Sequence, residues 1–152
     1  VLDVDDEITV TGPYGSFYLR EDSQREIICI GGGCGMAPIR SILFHLKEKG
    51  MPRPISYFFG ARSKKDIFYT EELEALEKEC PNFKYIPVLS EPKAEDKWVG
   101  ETGFVTQAVE RFIRSNGNTE AYLCGPPPMI DAAIKVLTKK GLKEIHIYYD
   151  KF

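Results

Sequence analysis

Histidine is scarce in this chain, at two in 152 residues, and the four cysteines stand apart at positions 29, 34, 80 and 124 with no C-x-x-C pair. A structural zinc site needs clustered N and S ligands, so metal spacing is missing. Cys29 and Cys34 have the interval that opens a plant-type iron-sulfur loop, but the next cysteine that such a loop requires does not follow. Basic residues are not in excess either: 20 Lys and Arg against 23 Asp and Glu leave a net charge of −3. With lysines interspersed among glutamates, there is no stripe to displace counterions from a nucleic acid. The longest uncharged stretch, residues 27–39, holds four glycines and a proline and is too short to cross a bilayer as a helix. No signal-peptide pattern opens the sequence at Val1. There is no Ser/His/Asp set, carboxylate pair or G-x-S-x-G motif, so hydrolytic chemistry has no support. Dispersed free thiols point to a reducing cytoplasm.

What is present is ordinary globular composition, 43% hydrophobic and 28% charged, at the length of one domain. Short β-rich runs alternate with helical periodicity. Strands are expected at 26–31, 55–60, 83–89, 120–125 and 144–149. Ile39, Ile42, Leu43 and Leu46 recur at helical spacing, as do Phe104, Val105, Ala108, Val109, Phe112 and Ile113. A third helix opens at Thr70 and carries Leu73, Leu76 and Cys80, and a fourth carries Met129, Ala133, Val136 and Leu137 before Gly141. Runs such as Ile27-Ile28-Cys29-Ile30 and Tyr57-Phe58-Phe59 are apolar without alternation, as strands are when helices cover both faces of a sheet. The expected fold is therefore α/β: a doubly wound, five-stranded parallel sheet with helices on both faces. The first twenty residues depart from it. Glu7 to Gly12 alternates like an antiparallel strand, Pro13-Tyr14-Gly15 is a turn signal, and Phe17-Tyr18-Leu19 is again extended. Residues 1–20 read as the trailing strand of an absent β domain, and residues 21–152 as a domain of their own.

In a doubly wound sheet, ligands bind outside the carboxyl ends of the strands. The first strand ends in Gly31-Gly32-Gly33-Cys34-Gly35-Met36-Ala37-Pro38. Glycines allow close backbone approach, and the following helix start offers N–H groups and partial positive charge, which together suit a pyrophosphate. A side chain at Gly35 is expected to enter the diphosphate's space. The loop is not the usual G-x-G-x-x-G fingerprint, because Met36 or Pro38 falls on the third glycine position, and no lysine completes a Walker A loop. After the second strand comes Gly60-Ala61-Arg62, whose guanidinium suits a diphosphate but alone reads as a solvated turn residue. Ser90-Glu91 follows the third strand, and Cys124-Gly125-Pro126-Pro127-Pro128-Met129 the fourth, where Cys124 by itself reads as a buried strand-end thiol. His45 and His146 lack partners at metal spacing, Trp98 reads as packing its own loop, and Lys64-Lys65 as a solvated turn.

Taken together, Gly12-Pro13-Tyr14-Gly15-x-Phe17, the loop from Gly31 to Pro38, Gly60-Ala61-Arg62, Gly103-Phe104-Val105 and Cys124-Gly125-Pro126-Pro127-x-Met129 resemble the ferredoxin-NADP reductase superfamily. Phe68-Tyr69 and the terminal Asp150-Lys151-Phe152 are similar to its iron-sulfur flavoprotein branch, which includes the NADH-binding component of sodium-translocating NADH:quinone oxidoreductase and the reductase components of bacterial oxygenases. The resemblance implies an NADH-binding domain that passes hydride to FAD, for onward one-electron transfer to a [2Fe-2S] centre or a quinone pathway. FAD would be bound mainly by a missing barrel domain, and the [2Fe-2S] cluster by a missing ferredoxin-type domain or partner. Membrane subunits of a larger complex are possible partners, which would put the chain in the cytoplasm or at the cytoplasmic face of a membrane. By that resemblance Gly31, Gly32, Gly33, Gly35, Met36, Ala37 and Pro38 hold the pyrophosphate and nicotinamide side. Cys34 stands where the family often has Ser or Thr. Gly60, Arg62 and Ser90 lie towards the adenosine end. Glu91 replaces the basic groups that read a 2′-phosphate, which favours NADH. Cys124, Gly125, Pro126, Pro127 and Met129 position the nicotinamide, Asp150 lies near the flavin's reactive nitrogen, and Phe152 covers the flavin ring. Two other readings stay open: a non-catalytic nucleotide-binding module, and an electron-transfer subunit like that of dihydroorotate dehydrogenase, although its C-terminal cysteine cluster is missing.

Overall fold

A computed structural model of the protein describes residues 3–12, 14–114 and 117–152. Six parallel strands form one sheet in the order β4-β3-β2-β1-β5-β6. They are β1 (Glu26–Gly32), β2 (Ile55–Ala61), β3 (Phe83–Leu89), β4 (Glu101–Thr102), β5 (Thr119–Gly125) and β6 (Ile147–Lys151). Parallel neighbours need crossovers, which the helices α1 (Met36–Glu48), α2 (Thr70–Glu79), α3 (Val105–Phe112) and α4 (Pro127–Lys139) supply. The chain runs outwards from β1 to β4, then returns to the other side of β1 as β5, so the topological switch point lies between β1 and β5.

The unalternating apolar strands follow from this layering. Successive side chains point to opposite faces, and each face is covered. Ile27, Cys29, Tyr57, Phe59, Tyr122 and Cys124 pack under Ile39, Leu43 and Leu46 of α1 and Leu73 and Leu76 of α2. Ile28, Ile30, Phe58, Ala121 and Leu123 pack under Val105, Ala108 and Val109 of α3 and Ile130, Ala133 and Leu137 of α4. Among the described residues no helix is long and apolar enough to cross a membrane.

Four expectations need correction. The sheet has six strands, not five: Glu101 and Thr102 pair with Val88 and Leu89, a two-residue contact too short and too polar to leave a periodic signal. Glu144–His146 is a 3-10 turn, and β6 starts only at Ile147, where pairing with Ala121 begins. The α2 helix opens at Thr70 as expected, behind Tyr69 at φ 55, but it ends at Glu79: Cys80 is its C-cap in extended backbone, not a helical residue. Glu7 to Gly12 forms no strand; alternation becomes a strand only beside a pairing partner, and here Ile8 and Val10 stay exposed. Val1, Leu2 and Pro13 of the N-terminal reading lie outside the described residues.

Candidate functional site

The end of β1 and the start of α1 are joined by a single 3-10 turn, Gly33–Gly35. Each glycine before the helix answers to a different neighbour. A Cβ on Gly31 would lie 2.8 Å from the Tyr57 hydroxyl, which itself donates to Met36 Sδ at 3.1 Å. A Cβ on Gly32 would lie 2.6 Å from Met129 Sδ. At Gly35 it would lie 1.9 Å from the Cys124 carbonyl oxygen, inside the backbone of β5. Gly33 alone opens outwards: its φ is +56 and nothing stands within 4 Å of its Cβ position. Gly35 is therefore a glycine because the turn is pressed on β5, not because a side chain there would enter ligand space as the sequence implied.

The contact at Gly31 gives a direct check. Gly31→Ala should destabilise the fold by about 1–3 kcal/mol through overpacking, and adding Tyr57→Phe should recover most of that loss by removing the hydroxyl. Urea unfolding of both variants measures it, and equal stabilities would show that the contact is not the constraint.

In front of Gly33 lies a cleft of about 710 Å³ at the switch point. Gly32, Gly33 and Gly60 form its floor, and Pro126 and Met129 one wall. Arg62, Lys65, Glu91 and Lys93 form a charged rim, with Ser63, Asp66 and Phe68 beside them. Arg62 Nη2 donates to Glu91 at 3.1 Å, a solvent-exposed pair that contributes little to stability. The Ser63 hydroxyl and backbone N–H both donate to Asp66, which holds that carboxyl below its ordinary range and ties it to its own turn. The β2 and β3 ends are kept level by Ser90 N–H on Ala61 O and Glu91 N–H on Arg62 O.

A second, apolar recess of about 410 Å³ shares Pro126 and Met129 with this cleft and is closed by Phe104, Val105, Pro128 and Ala132. Phe104 is 70% exposed and caps α3 instead of joining its buried stripe, a correction to the sequence reading. Its backbone N–H donates to Gln107 Oε1, which orients the start of the helix.

Of the residues singled out from sequence, Gly32, Gly33, Gly60, Arg62, Glu91, Pro126 and Met129 meet around the cleft. Cys34 and Ala37 are exposed, and Pro38 faces a separate groove against Phe17 and Leu19. Met36 and Cys124 are buried on the α1 side of the sheet, where burial and then the nearby Asp150 push the Cys124 thiol up to about 11. Gly31 is paired with Cys124, and Cys124 with Asp150, so these three ends are in register. Gly125 carries the last contact: its carbonyl accepts from Phe152 N–H at 3.4 Å, with Pro127 starting α4 beyond it. Lys65 is a rim residue, not merely a solvated turn, and Lys93, Phe68 and Phe104 were not assigned roles from sequence. Phe104 follows Gly103, whose left-handed turn at φ +97 shows only in the folded chain.

The sequence profile of the family described as oxidoreductase NAD-binding domain matches residues 29–135, which contain the second half of β1, the glycine turn, the cleft and most of α4. The chain belongs to that family. This NAD-binding domain is 44% identical over 155 residues to the reductase component of propane 2-monooxygenase from Mycolicibacterium goodii, covering 99% of this chain and 44% of that protein. It is 43% identical over 152 residues to the F component of the Na(+)-translocating NADH-quinone reductase of Pseudomonas paraeruginosa, covering 97% of this chain and 37% of that one. Among solved structures, Amycolatopsis cytochrome P450 reductase GcoB matches with a TM-score of 0.83 and 29% identity, over 93% of this chain and 42% of its own. The domain thus spans less than half the length of each of these relatives, and the first two fall in the two branches to which the strand-end motifs pointed.

Proposed function

We propose that this domain holds NADH at the β1/β5 switch point and serves as the hydride-donor half of a flavin-dependent reductase. The observation that carries the reading is the open cleft in front of Gly33, the one glycine of the turn whose missing side chain leaves room for a ligand and not for the protein. A dinucleotide's diphosphate fits there, against the amides of the turn and the first turn of α1. The relatives' names, a monooxygenase reductase component and an NADH-quinone reductase component, support the same chemistry. Residues 1–20 then belong to a flavin-binding barrel in the longer parent, and a [2Fe-2S] centre or a quinone pathway lies further along in that protein or its partners.

When bound, NADH supplies a hydride that the flavin of the parent accepts, and this chain's residues align and shield the transfer. Proximity and exclusion of water are what a protein adds to such a reaction. The ends of β1, β5 and β6 are in register, with Gly31, Cys124 and Asp150 in one row, and we read that row as the nicotinamide end. Cys124 stays a protonated thiol at physiological pH and acts there by contact, not as a base. Phe152, half exposed beyond Gly125, covers the entry of the ring. Gly125, Pro126 and Pro127 fix a rigid turn beside it.

The adenine ring is assigned to the apolar recess between Phe104 and Met129, which moves Met129 from the nicotinamide end, where the resemblance put it, to the adenosine end; stacking on one exposed ring there contributes ~1–3 kcal/mol. Phe104→Ala should therefore weaken ADP-ribose binding about tenfold or more, measured by calorimetric titration, while leaving the fold intact. Unchanged affinity would remove adenine from that recess, and no affinity in the parent chain would remove the nucleotide reading altogether.

At the rim, Glu91 opposes the extra phosphate of NADPH, and its pairing with Arg62 neutralises the nearest cation. Glu91→Ala should narrow the preference for NADH over NADPH by about fivefold, the size of one exposed charge pair. The ratio of the two dissociation constants measures this; an unaltered ratio would place the discrimination elsewhere.

A further inference from the structure

The C-terminal strand β6 is the outer strand of the sheet, bonded to β5 on one edge only. On the sheet's α1 face, the helix packs over β1 and β5. Tyr148 of β6 lies on this face and stacks on Tyr122 of β5 with centroids 5.2 Å apart. What covers Tyr148 is Arg20: its guanidinium sits 4.2 Å from the Tyr148 ring on one side and 3.6 Å from the Tyr18 ring on the other. The same group donates to the carbonyls of Tyr18 at 2.7 Å and Ser16 at 3.2 Å, and the Arg20 backbone N–H donates to the Tyr122 hydroxyl at 2.9 Å. Phe17 meets the Tyr122 ring edge-on. Among the described residues no carboxylate pairs with Arg20, so rings and carbonyls hold its charge.

Tyr148 and Asp150 stand two residues apart on one strand and share a face. Their partners on β5, Tyr122 and Cys124, share it too. Whatever fixes Tyr148 therefore fixes the direction in which Asp150 and Phe152 leave the sheet. We propose that Arg20 is a positioning residue for the C-terminal strand end: clamped between Tyr18 and Tyr148, it supplies the missing cover over β6 and keeps Asp150 and Phe152 aligned with Cys124. The link to hydride transfer rests on the reading of those three residues as the nicotinamide end; the link from Arg20 to β6 does not.

The test separates the two. In the chain as it stands, Arg20→Ala should speed amide exchange at residues 147–152 about tenfold, as the loss of two exposed cation–π contacts predicts, while exchange in β2 and the melting temperature barely change. Tyr18→Ala, at an exposed residue with no part in the core, should give a smaller increase at the same amides. Arg20→Lys keeps the charge but not the plane, and should restore protection only in part. Exchange at 147–152 equal to the parent in both alanine variants would overturn the proposal, as would an increase spread over the whole sheet. In the reductase that carries this domain, Arg20→Ala should lower kcat with NADH about fivefold and leave KM within about twofold, since the adenosine contacts are untouched; equal losses in kcat and 1/KM would mean a general structural role. Failure of the unaltered chain to bind ADP-ribose would overturn the nucleotide reading, while the exchange result would still decide the role of Arg20 in holding β6.

Discussion

Gly35→Ala is expected to lower stability by about 3 kcal/mol, and so the melting temperature by about 6–12 °C. Its methyl group would stand 1.9 Å from the Cys124 carbonyl oxygen and 2.4 Å from the carbonyl carbon. Both are backbone atoms of a central strand, so no rotamer change relieves the clash. Gly33→Ala, two residues earlier, should behave oppositely. It meets no atom, and its cost is the left-handed backbone at φ +56, about 1–2 kcal/mol. Its effect should fall on the ligand: at least about tenfold weaker NADH and ADP-ribose binding, because the methyl enters the cleft. Thermal unfolding and titration of the two variants side by side measure both effects. A Gly33→Ala protein that binds as tightly as the parent would mean that the open space belongs to no ligand.

Arg53→Met should be the most destabilising single change away from the turn, at about 3–5 kcal/mol. Arg53 Nη1 donates to Glu120 Oε1 at 2.8 Å, and the two side chains are only 4% and 1% exposed. The Tyr122 hydroxyl donates to the same Glu120 oxygen at 2.9 Å, and the Arg53 guanidinium also reaches the carbonyls of Arg20 and Arg25 at 3.4 Å. Among the described residues, removing the cation leaves that buried carboxylate with one hydroxyl donor, Tyr122. Replacing both partners, as Arg53→Met with Glu120→Leu, should restore much of the stability, because no uncompensated charge remains. Chemical denaturation distinguishes the cases. A loss of less than about 1 kcal/mol for Arg53→Met alone would mean that the pair is not desolvated as its burial implies. The same network ties the residues that precede β1 to the sheet, so the variant should also free the segment around Arg20.

The alternation of β-rich runs with helical periodicity located the four helices and placed four of the strands within a residue at their ends. Those signals survive in the chain because they are local: a covered strand is apolar on both faces, and a helix repeats on one side. The glycine turn was legible for the same reason, as were Arg62, Glu91 and Pro126, which stand within two residues of strand ends, and Met129 in the first turn of α4, all of which come together wherever a parallel sheet forms. Two-residue β4 was not legible, since its pairing depends on where the loop after Leu89 returns. Nor was Phe104, whose helical spacing matches that of the buried residues beside it; only the folded chain shows it capping α3 with its ring on the apolar recess.

Sequence alone thus determined the layer order, the helical faces and the strand ends that line the cleft, because periodicity and glycine placement are properties of neighbouring residues. Tertiary structure decided which glycine faces the open cleft and which faces β5, which aromatic lines a pocket, and that Arg20 covers β6. Those outcomes depend on contacts between residues far apart in the chain, such as Gly35 with Cys124 and Arg20 with Tyr148, whose distances no local pattern encodes.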